Sequence, residues 1–326
     1  MPNRVFEQIT TKNTLNKVRV EKMPFDWSIN PYRGCSHGCS FCYARAFQSF
    51  IGREADDDFQ NHIMIKSNAA EALEAQLDKL ARRFKGSMDE VRRYVGLVAI
   101  GTATDPYQPI EGKALITREC LKVLAKYHIS VTITTRSPLI LRDLGILTEM
   151  KTASVNISMT TLSRDITRKL EPETSFPEKR LETLQQLREN GISAGVFIAP
   201  ILPYITDNVK DMEALIREVK TCKAQFAMTS LLRLSPDVKF WFFQSLKQHF
   251  PDLIPTYAKL YSSTYANRAY SEPLMKRIRE LVAKYGLTGS LPEADFKPSC
   301  PATQLFQSSS SASGQKHPPE QLLLQF

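Results

Sequence analysis

The sequence predicts an α/β fold: a partial (βα)6, TIM-like barrel followed by a C-terminal helical extension. Three observations predict it. Short apolar runs alternate with helical stretches along most of the chain. The runs lack the strict polar alternation of half-exposed strands, which points to parallel strands covered by helices. The count is about six βα units, which fits a partial barrel better than a closed eight-unit one. An open doubly wound sheet is the alternative. In both architectures the loops after the strand C-terminal ends build the site.

Each element follows from a local pattern. "FDWSINPYRG" (25–34) reads as a strand running into a cysteine-rich loop. After "HIMIKSN", Ser67 or Asn68 is the expected N-cap of a helix with Glu71 in its first turn. That helix carries Leu73, Leu77, Leu80 and Phe84 on one face. A strand over 95–101 enters the polar loop "TATDPYQ". "ITRECLKVLAKY" is a helix with Ile116, Cys120, Leu124 and Tyr127 on one stripe. "ISVTITTRS" and "ASVNISMTT" are strands separated by the helix "LILRDLGILTEM". "FPEKRLETLQQLRENG" is a helix with Leu181, Leu184 and Leu187 inward and Gly191 as its stop. "ISAGVFIAPILP" is the fifth strand. A helix started by Asp207 and the strand "AQFAMTSLLRL" complete the series.

Four regions result: a polar, basic arm over 1–23, the barrel over 24–236, a helical region over 237–300 and a Ser/Pro-rich tail over 301–326. The tail is expected to be disordered. The 326 residues include 42% hydrophobic types, enough for an unaided core. The start has no apolar run of the signal-peptide kind, and no window approaches the ~18–20 apolar residues of a membrane span. The expected location is therefore cytoplasmic, where clustered cysteines more often bind metal than form disulfides. The net charge of +9 is compatible with a nucleic-acid partner.

The chemistry concentrates in "NPYRGCSHGCSFCYAR" (30–45). Cys35, Cys39 and Cys42, half of the six cysteines, fall within eight residues as C-x3-C-x2-C. Thiolates suit zinc, Cu(I) and iron–sulfur clusters. A structural zinc wants four protein ligands. Only His37 is at hand as a fourth, and Cys120, Cys222 and Cys300 are scattered. Three ligands and a vacancy fit a 4Fe–4S cluster with one iron left open to a cosubstrate.

The triplet, with Phe41 just before its third cysteine, resembles the radical SAM superfamily. "GTATDPYQPIE", "TTRSPLILRDL", "SVNISMTT", "LEPETSFPEKRLETLQQLRENGI" and "VFIAPILP" extend the resemblance to the spore photoproduct lyase-related branch. It covers about residues 25–235. The resemblance implies a 4Fe–4S cluster on Cys35, Cys39 and Cys42. It also implies S-adenosylmethionine (SAM), cleaved reductively to a 5′-deoxyadenosyl radical that takes hydrogen from a substrate. Phe41, Tyr43, Thr104, Asp105, Arg136, Ser158 and Ala199 are the implied cofactor-binding residues. Tyr43 would line the SAM site and Thr104 would contact SAM. Arg136 stands where the lyase has a lysine near the SAM carboxylate, and a guanidinium can hold a carboxylate bidentately. Ala199 would border adenine. Glu171 and Arg180 read as a supporting ion pair. A reductant such as flavodoxin or ferredoxin is the implied partner. A nucleic acid or nucleotide is the implied substrate, and a peptide or protein the rival.

One departure matters. The lyase keeps a cysteine just ahead of its Ser/Thr-Asp pair to return hydrogen to the product radical, and here "GTATD" has none. Tyr107 in the same loop is a candidate hydrogen-atom donor, although a tyrosine in a Pro-flanked loop more often packs. Tyr261, Tyr265 and Tyr270, interleaved with arginines and lysines, could stack bases. The commoner arrangement is tyrosines packed on the barrel and cations on a wet face. "FWFFQSL" (240–246) reads as core.

Overall fold

A computed structural model describes residues 4–19, 23–150 and 154–291; the expected tail and Cys300 lie outside them. Ten strands are formed: β1 (Val5–Ile9), β2 (Asn16–Lys17), β3 (Trp27–Ile29), β4 (Tyr32–Arg33), β5 (His62–Lys66), β6 (Leu97–Ile100), β7 (Ser130–Thr135), β8 (Ser154–Ser158), β9 (Ser193–Ile201) and β10 (Ala227–Leu231). The main sheet has the order β10-β9-β8-β7-β6-β3-β2. From β3 to β10 every pairing is parallel. The six strands follow one another without a reversal. A doubly wound sheet reverses direction at its centre, so the sequential winding of a partial barrel is the one adopted.

The four central strands, β6 to β9, are largely buried, whereas β10 is buried only at Ala227. Val98, Val131, Ile133, Val155, Val196 and Ile198 are fully buried. The covering helices are amphipathic. Leu73 and Leu77 face the core from Ala69–Arg83, and Cys120, Leu121 and Leu124 from Ile116–Lys126. Leu184 and Leu187 do so from Pro177–Glu189, which stops ahead of Gly191 at φ 76°.

Several local expectations are corrected. "FDWSINPYRG" is two strands, not one. Asn30 turns the chain by donating to Thr102 Oγ1 (2.9 Å) and accepting from the Ala103 N–H (2.8 Å). β4 then joins β5 and β1 in a separate three-stranded sheet. The N-terminal segment is at the surface but woven in, since β1 runs parallel to β5. Val95 closes the helix Met88–Val95 instead of opening β6. "LILRDLGILTEM" is a 3-10 turn, Pro138–Asp143, followed by the short helix Leu144–Glu149. The helix Val209–Thr221 is capped by Asn208, whose side chain accepts from the N–H groups of Lys210 and Asp211. Asp207 instead receives the Tyr270 hydroxyl.

The C-terminal helices Pro236–His249, Ile254–Leu260 and Arg268–Lys284 follow β10. Val238, Phe242 and Leu246 are buried, in a cluster with Cys39, Phe41 and Leu170. Phe240 departs from the expected core role and is 71% exposed. Among the described residues no helix is long and apolar enough to cross a membrane.

Candidate active site at the barrel mouth

The cysteine loop leaves β4 through Gly34, which has φ 78°. A Cβ there would lie 2.8 Å from the carbonyl oxygens of both Phe59 and His62. Glycine alone relieves both constraints. Gly34→Ala is expected to destabilise the protein by ~1–3 kcal/mol. A lower urea midpoint would check this, and an unchanged one would show that the loop relaxes freely.

Beyond Gly34 the loop is tied at nearly every step. The Cys35 N–H donates to Phe59 O (2.9 Å), the Ser36 N–H to Gln108 Oε1 (2.9 Å) and the Ser40 N–H to Leu170 O (2.9 Å). Thr104 Oγ1 donates to Gly34 O (2.6 Å). Arg45 lies behind the loop, fully buried. Its guanidinium donates to Cys39 O (3.1 Å), Gly38 O (3.1 Å), Asp56 O (2.8 Å) and Gln60 Oε1. Phe59 and Trp241 flank it, with ring centroids at 5.0 and 4.4 Å. Burial lowers its pKa to about 10, still charged at neutral pH.

Cys35, Cys39 and Cys42 are free thiols. Burial pushes Cys39 and Cys42 up from the ordinary thiol value. It also raises Cys35, but the adjacent His37 outweighs it and the net shift is downward. His37 is buried, with Nδ1 3.2 Å from Asp105 Oδ2, near enough to pair but poorly aligned for a hydrogen bond. Burial lowers the imidazole pKa, and Asp105 and Cys35 overturn this, lifting it to about 10. Burial raises Asp105, and His37 with the hydrogen bonds from Thr135 and Arg136 brings it down to about 2.

The remaining predicted residues gather around the loop. Asp105 spends both oxygens locally: Oδ1 accepts from Tyr107 N–H and Thr135 Oγ1, Oδ2 from Arg136 N–H. It thereby locks the end of β6 to the end of β7. The Arg136 guanidinium carbon sits 5.8 Å from the Phe41 ring centroid. Its Nε is buried with no hydrogen-bond partner, 3.4 Å from Glu171 Oε2. Glu171 Oε2 also accepts from Arg180 Nη2 (2.5 Å), and Oε1 from Thr160 (2.8 Å). Burial raises the Glu171 pKa, but Arg180 and Arg136 together hold it down to about 2. Ser158 Oγ and Arg136 Nη2 share Ala199 O at 3.4 Å. Tyr43 donates its hydroxyl to Thr102 O.

Tyr107 does not join this group. It is fully buried in the main core, with its hydroxyl 3.1 Å from Asp143 Oδ2. A hydrogen-atom donor must face the substrate, so the geometry makes Tyr107 a packing residue. Cys120 is fully buried, with its pKa pushed to about 12 by burial. The tyrosine-rich C-terminal segment is also divided: Tyr261 is buried and donates to Leu232 O, whereas Tyr265 is exposed beside Arg233. Sequence reasoning missed Arg45, Gln60 and Gln108. "CYAR" displayed the arginine, but its partners come from separate segments.

A cavity of about 160 Å³ opens against the loop, lined in part by Lys17, Arg33, Gly34, Lys66 and Thr102. It is smaller than the ~300–1,000 Å³ of ordinary ligand clefts.

Fold and site together define a parallel partial barrel whose mouth carries a three-cysteine loop beside a buried arginine. The model of the radical SAM superfamily matches residues 29–219. The chain belongs to the radical SAM superfamily, and membership implies a 4Fe–4S cluster and SAM. An uncharacterised protein of Mycobacterium tuberculosis is 30% identical over 304 residues, covering 92% of this chain and 85% of the relative. One of Methanocaldococcus jannaschii is 25% identical over 273 residues, covering 84% and 93%. Among solved structures, a spore photoproduct lyase variant with bound AdoMet and dinucleoside spore photoproduct matches with a TM-score of 0.63. The identity is 15%, covering 88% of this chain and 82% of that one, so the likeness is one of fold.

Proposed function

We propose that the protein is a radical SAM enzyme that takes hydrogen from a nucleic-acid or nucleotide substrate, with Cys35, Cys39 and Cys42 holding its cluster. The observation that carries this is three free thiols on one tied loop, beside an arginine whose buried Nε has no hydrogen-bond partner. The donor set fits: three soft ligands leave one iron open, and a guanidinium held by Glu171 keeps donors that can receive a carboxylate. When bound, the cluster would supply the electron that splits SAM into methionine and a 5′-deoxyadenosyl radical.

The chain's own residues bind and orient. Arg136 is the receptor for the methionine carboxylate, oriented by Glu171 and backed by Phe41. Thr104 and Asp105 fix the loop against β6 and β7. Ala199 and Ser158 form the adenine side. The buried surroundings of the thiols keep water out, and a site of reduced cysteines suits the cytoplasm. A flavodoxin or ferredoxin is the proposed reductant. The "GTATD" stretch has no cysteine, so the lyase's route for returning hydrogen is not part of the proposal.

The test is anaerobic reconstitution followed by iron and sulfide analysis, reduction with dithionite and quantification of 5′-deoxyadenosine. Iron and sulfide near four each per chain, with product, support the reading. Zinc near one per chain without sulfide overturns it.

The substrate class rests on the +9 charge of the chain. The structural neighbour's bound dinucleoside points the same way. Affinity for DNA or RNA should fall steeply with salt. No binding at low salt would turn the substrate reading to peptides.

A further inference from the structure

We propose that Arg45 is the fixed counter-cation of the cluster and raises its reduction potential. This rests on the cysteine ligation proposed above. The guanidinium is fully buried, yet every hydrogen bond it makes goes to a neutral oxygen: Gly38 O, Cys39 O, Asp56 O and Gln60 Oε1. Among the described residues no carboxylate pairs with it at ion-pair distance, and its faces are closed by Phe59 and Trp241. Buried charges are ordinarily paired, because an uncompensated one is costly to hold out of water. The compensating charge must therefore arrive from elsewhere.

The loop supplies it. Arg45 grips the backbone of Cys39 and stands three residues beyond Cys42. Four irons, four sulfides and three thiolates carry a net negative charge, and one-electron reduction adds another. The electron comes from the external flavodoxin or ferredoxin, and no proton is taken up. A fixed cation in a low-dielectric wall stabilises the more negative, reduced state over the oxidised one. Arg136 also carries positive charge near these thiols, but Glu171 lies against it. Among the described residues no carboxylate forms an ion pair with Arg45; the Asp57 carboxylate interacts with its charge from beyond Gln60, which bridges the two.

The experiment is an EPR-monitored redox titration of reconstituted protein. Three variants are compared at equal iron and sulfide content. Arg45→Met removes the charge and keeps the stem; Arg45→Lys keeps the charge. Gln60→Glu, made together with Asp57→Asn because Gln60 Nε2 donates to Asp57 Oδ1 (2.7 Å), places a carboxylate on the guanidinium and leaves the stack between Phe59 and Trp241 in place. The expected result is a midpoint shifted to more negative values in Arg45→Met and in the Gln60→Glu/Asp57→Asn double variant, with Arg45→Lys near wild type. An unchanged midpoint in the loaded double variant overturns the inference even if Arg45→Met fails to fold. Failure of the wild type itself to load a cluster would instead sink the ligation reading.

Discussion

Replacing any one of Cys35, Cys39 or Cys42 by alanine is expected to reduce 5′-deoxyadenosine formation to background. Three thiolates are the fewest that leave one iron open while fixing the others, so two cannot substitute for three. The fold should survive. The loop is held by Thr104, Gln108 and Arg45 through backbone atoms, not through sulfur. Truncating a buried cysteine removes one sulfur atom, a smaller loss than the ~2–5 kcal/mol of a Leu→Ala change. The measurement is product yield beside thermal unfolding of the apoprotein. Product retained in a single variant would remove that cysteine from the ligand set.

Glu171→Gln is expected to cost stability on the order of 3–5 kcal/mol, because it leaves the buried Arg180 guanidinium and the half-buried Arg136 facing a neutral amide. Glu171 is fully buried, with Arg180 at 2.5 Å and Arg136 at 3.4 Å. The same pair predicts a pH dependence. The carboxyl pKa is depressed in the folded protein, from 4.5 to about 2. Its contribution is therefore fully present above about pH 4.5 and lost as the pH falls towards 2. Urea unfolding of wild type and variant across that window checks both statements. Their stabilities should converge at the acid end. A constant difference across the window would mean that Glu171 acts by shape and not by charge. Arg136 loses its orienting partner in the same variant, so SAM affinity should fall as well.

The parts legible in the sequence were those written in local pattern. Three cysteines in one loop, a run such as "ISVTITT", and Leu184 and Leu187 one turn apart each announce themselves within a few positions. The pairing of Glu171 with Arg180 was readable for the same reason. What was not legible depends on contacts between distant segments. β1 was read as part of an arm because four of its five residues are exposed, leaving no hydrophobic rhythm. The break after β3 comes from Asn30 bonding to Thr102 and Ala103. Tyr107 looked available in a polar loop until folding placed its ring in the core. Arg45 was visible as a letter, but its burial and its neutral hydrogen-bond partners exist only once Phe59, Gln60 and Trp241 surround it.

Trp241 has a further consequence, for the timing of biosynthesis. The cysteine loop leaves the ribosome early, whereas the helix Pro236–His249 that covers Arg45 and packs with Cys39 follows the last barrel strand. A nascent chain halted at β10 would hold the arginine without its second aromatic face and the loop without its apolar backing. The order of the polypeptide thus predicts that insertion of the proposed cluster is a late event in maturation, one that waits for the carboxyl-terminal helices to be released. A chain truncated before residue 236 should carry all three loop cysteines and still keep iron poorly in air.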